Sequence, residues 1–105
     1  MATVTKVLAR TAASLTTTTV LYTVPASTTT VVSNIAVTNT AGSAGTFTLA
    51  LGPSGAQVAL HTTTAIAANS TVYIDLKQVL TTTNTITGGA SATTINFHIS
   101  GVEIA

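Results

Sequence analysis

The chain has no cysteine and no tryptophan. Without thiols it has no disulfides, no thiolate metal ligands and no cysteine nucleophile. Charge is nearly missing too. Charged residues are 5% of the 105 residues, where a typical domain has about 25%. They are Lys6, Arg10, Asp75, Lys77 and Glu103. A formal net charge of +1 offers no electrostatic hold on nucleic acid or on an anionic membrane, so neither is expected as a partner. Aromatic residues are 4%, so the core must be built from small aliphatic side chains. No apolar run approaches the roughly 18 residues of a membrane span. The opening MATVTKVLARTAASL lacks the apolar centre of a secretory signal and reads as a first strand followed by a loop.

What is present is threonine, 26 of 105 residues. Threonine is β-branched, stiff at χ1, favoured on pleated surfaces and poor in helices. A threonine surface is polar without charge and offers hydroxyl donors and acceptors. Apolar residues are 46%, too many for a disordered chain. At this length the expectation is one domain over residues 1–105. So uncharged a chain, free in solution, would associate, so partners are expected to cover part of it.

Turn signals recur every 8–14 residues or so, the rhythm of an all-β sandwich or barrel. The clearest strand is Thr46–Leu51, with Phe47, Leu49 and Leu51 on one face. It follows the turn AGSAG and precedes GPSG. The alternating run from Val31 to Asn39 comes just before, and the two together read as a hairpin. Further strands are expected at Val4–Ala9, Val20–Val24, around Val58 and Leu60, at Val72–Leu76 and at Thr83–Thr87, the last closed by Gly88-Gly89. Lys77–Leu80 reads as a single helical turn. In the closing run, Ile95, Phe97 and Ile99 share one parity, and Val102 and Ile104 the other. A bulge at Ser100-Gly101 would put all five on the core side. The fold class expected is all-β: an antiparallel β-sandwich of about eight strands, jelly-roll-like or Ig-like.

Catalytic groups are scarce. The two carboxylates, Asp75 and Glu103, fall on different strands, and Asp75 has Lys77 on its own face. That reads as a surface charge pair rather than a general acid and base. His61 and His98 are the only imidazoles, and no ligand spacing completes a zinc site. No GxSxG elbow presents a serine. The expectation is a non-enzyme with no cofactor and no metal.

The segment LYTVPASTTTVVSNIAVTNTAGSAGTF carries a resemblance. Leu21, Tyr22, Thr23, Val24, Pro25, Ala26, Val31, Val32, Ser33, Ile35, Val37, Asn39 and Phe47 match a motif in small virion structural proteins of tailed bacteriophages. There an LYTVPAG-like segment leads into a VVS-I-V-N strand, a small-residue turn and a strand with Phe. IAANSTVYIDL and NFHISGVEI resemble that family's later strands. This sequence has Ala26-Ser27 where the family usually has a Gly. The resemblance implies a virion protein, most simply a capsid decoration or cement protein. Such a protein would bind the major capsid protein lattice at the capsid surface as a homo-oligomer, a trimer first of all. A tail or head-fibre component facing host glycans is the alternative it implies. Residues 1–10, with Lys6 and Arg10, are the candidate assembly arm. Read without the resemblance, the same run is an edge strand of its own sheet.

Overall fold

A computed structural model describes residues 3–105. Eight strands follow in order: β1 Thr3–Ala12, β2 Val20–Thr23, β3 Thr29–Asn39, β4 Gly45–Pro53, β5 Val58–Ile66, β6 Ser70–Leu80, β7 Asn84–Ala90 and β8 Ile95–Ile104. The first sheet, sheet A, has the order β1-β8-β3-β6, and sheet B has the order β2-β7-β4-β5. All pairings are antiparallel. Successive strands alternate between the sheets except at β4–β5, the one hairpin among the described residues. This order is that of an eight-stranded jelly roll. The expected antiparallel sandwich is therefore present, in its jelly-roll form.

The core forms where the apolar parities of the two sheets meet. Sheet A contributes Val32, Ile35, Val37, Ile95, Phe97 and Ile99, and sheet B contributes Phe47, Leu49, Leu51, Ile66 and Ile86. The two phenylalanines meet across the interior edge-on, with ring centroids 6.4 Å apart. Buried polar groups are paired. The Asn39 amide donates to the Ser43 carbonyl at 2.9 Å and accepts from the Ala41 N–H at 3.0 Å. Its amide nitrogen also reaches the Ala67 carbonyl at 3.3 Å, tying two connections together at one end of the sandwich. Ser27 takes φ +55°, a left-handed conformation that favours glycine.

Four expectations are corrected. β3 and β4 are not a hairpin. β3 has β8 on one edge and β6 on the other, so no edge is left for β4. The Thr40–Ala44 link instead arches from sheet A to sheet B. Lys77–Leu80 is not a helical turn, because Gln78, Val79 and Leu80 pair with Val32, Val31 and Thr30. Gly88-Gly89 does not end β7 but lies inside it. A Cβ at Gly89 would stand 2.5 Å from the Thr16 carbonyl oxygen, so the missing side chain lets the β1–β2 link lie against this strand. The register slip is also not in β8. It lies in the neighbours, between Val7 and Ala9 of β1 and between Val32 and Asn34 of β3. β8 keeps strict alternation, so Gly101 points inward, Val102 and Ile104 point outward, and Glu103 takes the inward parity at the sandwich end.

Candidate functional site

The sheet register decides where each polar side chain stands. Lys6 lies opposite Gly101 and Val4 opposite Glu103, so Lys6 and Glu103 share the inward parity at one end of the sandwich. Tyr22 comes from β2 in the other sheet and meets them there. Lys6 Nζ donates to Glu103 Oε1 at 3.2 Å. The Tyr22 hydroxyl donates to Glu103 Oε2, and it lies 2.8 Å from the Thr30 hydroxyl. Tyr22 has one proton and spends it on the carboxylate, so Thr30 must be the donor to Tyr22.

Electrostatics follow from this geometry. The Glu103 carboxyl is held below its usual range, first by the Tyr22 hydrogen bond and then by Lys6, against the opposing effect of burial. Burial pushes the Tyr22 phenol up to about 12, with the hydrogen bond to Glu103 adding to it. The Glu103 side chain is 14% exposed. This cluster ties sheet A to sheet B. It offers no open carboxylate to a substrate.

Asp75 stands elsewhere, on the outward face of β6, where Asn34 Nδ2 donates to it at 3.3 Å. Asp75 and Lys77 share the exposed parity of β6, as expected, but no ion pair joins them; the break in alternation lies across from them, at Ser33 of β3. Asp75 and Glu103 thus point to opposite sides of sheet A and share no cleft. His61 belongs to sheet B, packed on Phe47 at 5.3 Å with Nδ1 3.1 Å from the Thr64 hydroxyl. His98 lies on the outward face of sheet A, between Arg10 and Ala36. The structure therefore does not bring the two imidazoles together. Shallow depressions mark sheet A at the bulge, one at Ser33, Asp75, Leu76 and Lys77 and one at Thr5, Lys6, Val7, Ser100, Gly101 and Val102. Ser33 borders both.

The candidate arm residues sit in a strand. Thr3–Ala12 pair with β8 of the same chain, so the edge-strand reading describes them, and Met1 and Ala2 lie outside the described residues. Lys6 is held inward by Glu103, whereas Arg10 is exposed on the outward face. Sequence reasoning missed the Lys6–Glu103–Tyr22–Thr30 cluster. Its members are up to 97 positions apart, and only the parity of β8 could have signalled it.

One surface property emerges only from the fold. All five charged side chains lie on strands of sheet A: Lys6 and Arg10 on β1, Asp75 and Lys77 on β6, Glu103 on β8. Sheet B and every described connection carry none. The outward parity of sheet B instead includes Thr46, Thr48 and Ala50, the buried Thr85 and Thr87, and the exposed Val20.

The sequence matches no protein-family model and no curated protein. Solved structures do share the fold. The chain from the T13 IBDV viral particle aligns with a TM-score of 0.56 at 10% identity, over 97% of this chain. The infectious bursal disease virus VP2 subviral particle aligns with a TM-score of 0.50 at 13% identity, over 97% of this chain. This chain spans only 30% and 31% of those two chains. The Drosophila NLP core, a protein described for pentamer formation and histone binding, aligns over 100% of both chains with a TM-score of 0.56 at 10% identity. At these identities the likeness is one of fold: an eight-stranded jelly roll of the kind found in viral particles and in a small pentameric core protein.

Proposed function

We propose that this protein is a structural component of a bacteriophage virion, a capsid decoration or cement protein. It binds the major capsid protein lattice at the capsid surface as a homo-oligomer, a trimer first of all. The observation that carries the reading is the segregation of charge. One whole sheet and the connections around it are uncharged, and their exposed residues are mainly threonine and alanine, with Leu15, Val20 and Val58 among them. Contacts made by such a face are insensitive to ionic strength. Binding only the assembled lattice stabilises it by mass action. The sequence resemblance to phage virion proteins and the jelly roll shared with viral particle chains support the same reading.

Nothing of the NLP core's histone binding transfers. Two carboxylates, one of them engaged by Lys6 and Tyr22, make no acidic surface for a basic partner. The arrangement supports binding rather than chemistry, since the half-buried Glu103 carboxylate is engaged by Lys6 and Tyr22 of its own chain. The alternative, a tail or head-fibre component, is favoured by the Tyr73 ring, 72% exposed on a flat face where a sugar could stack. Quantitative mass spectrometry of purified virions decides between them. A copy number on the scale of the major capsid protein supports decoration. A few copies per particle place the chain in a tail, vertex or fibre. Absence from particles overturns the virion role.

A further inference from the structure

Seven large hydrophobic side chains stay exposed among the described residues, and six of them lie on the four edge strands. Sheet A carries four: Val4 and Val7 on β1, Tyr73 and Val79 on β6, with exposures between 46% and 72%. An edge strand is a row of unpaired N–H and C=O groups, and a long apolar one invites another strand. These two edges match each other. β1 has 10 residues and β6 has 11. Every neighbour in β1-β8-β3-β6 is antiparallel, so β1 and β6 run in opposite directions. A copy placed head to tail beside this one therefore sets its β6 antiparallel to β1. The edges of sheet B do not match, with 4 residues in β2 and 9 in β5.

Charge points the same way. Lys6–Glu103 is the ion pair among the described residues, which leaves Arg10 on one edge and Asp75 and Lys77 on the other without an ionic partner. The rows of the outward face fix their levels. Arg10 is level with His98, Ala36 and Tyr73, and Val7 is level with Ser100, Asn34 and Asp75. With no stagger between copies, Arg10 faces the Tyr73 ring of the next copy. The Asp75 carboxylate then stands at the diagonal position, within reach of a long side chain. Lys6 stays on the inward side, held by Glu103, and brings no like charge to Lys77.

We infer that copies of this chain join head to tail through β1 of one and β6 of the next, which extends sheet A across the interface with Arg10 set against Tyr73 and Asp75. The inference rests on the homo-oligomer proposed above and names its surface. Such a heterologous contact closes into a ring when the rotation between copies closes.

The absence of native cysteine makes cross-linking a clean test. Ala12 and Thr71 share one row, Ala12–Asn96–Thr38–Thr71, and both are exposed. Within one chain they are three strand spacings apart, about 14 Å, beyond the about 7 Å that a disulfide spans. The full chain carrying both Ala12→Cys and Thr71→Cys, oxidised at micromolar concentration, should give a ladder of covalent multimers that ends at the ring size. Neither single variant should. Light scattering should show Arg10→Glu and Asp75→Arg each weakening association about tenfold, with the double swap restoring it. Circular dichroism confirms that each variant is folded. A folded monomer overturns the interface and the oligomer together. An oligomer whose mass neither charge variant changes, and which forms no ladder, overturns this interface alone.

Discussion

Gly101 offers the sharpest test of the packing. It lies on the inward parity of β8, where β1 and β3 both shift register around it. A Cβ there would sit 2.3 Å from the Val31 carbonyl oxygen and 2.9 Å from Leu8 Cδ1. The Leu8 methyl can rotate away. The Val31 carbonyl cannot, because β3 is held by strands on both sides. Overpacking of this kind costs about 1–3 kcal/mol, and a backbone obstacle puts Gly101→Ala in the upper half, about 2–3 kcal/mol. At this chain length 1 kcal/mol moves the melting temperature by about 4 °C, so a fall of about 8–12 °C is expected. Gly42 is the control. Nothing lies within 4 Å of its would-be Cβ, and its φ is not positive. Gly42→Ala should leave stability unchanged or raise it by about 0.4–1 kcal/mol, through the unfolded chain. Scanning calorimetry of the two variants beside the native protein reads both signs. If Gly101→Ala melts within about 2 °C of native, the close approach at the bulge is not what excludes a side chain there.

Other expectations are as direct. Phe97→Ala empties the centre of the core and should cost about 3–5 kcal/mol in urea unfolding. Tyr22→Phe leaves Thr30 and Glu103 without their shared hydroxyl and should cost about 1–2 kcal/mol by the same assay, whereas Lys6→Ala, at an exposed pair, should cost under about 1 kcal/mol. Tyr22 prefers its protonated form when folded, so its contribution is full below pH 10 and lost as pH rises from 10 to about 12. A chain with Tyr22→Phe should lose less stability across that window, and an identical alkaline loss would contradict the assignment. Glu103 is shifted the other way. Its contribution is present above the usual carboxylate range and fades as pH falls through its lowered folded value, which an acid urea series would follow.

The sequence determined the class of this fold and most of its core. Threonine and valine runs, with side chains alternating at period two, admit strands and little else. Phe47, Leu49, Leu51, Ile95, Phe97 and Ile99 are buried as their spacing predicted. Alternation, however, states only which residues share a face. It does not state which strand lies alongside. Neighbouring runs in sequence suggested a hairpin at β3 and β4, but pairing is settled by which edges are already filled, and β8 and β6 fill both edges of β3. Glycine was equally ambiguous. Gly88-Gly89 reads as a turn, yet tertiary contact makes it the place where another backbone passes close. Parity also sent Glu103 to the inner face, and only the opposite sheet could supply Tyr22 to receive it. The same holds for the surface. Composition announces that charge is scarce, but the jelly-roll order alone places every charged side chain on one sheet and leaves the other bare. Composition and period are local quantities that the chain carries in any conformation. Strand order, bulge alignment and the sorting of charge come from contacts between residues tens of positions apart, and exist only once the two sheets have closed on each other.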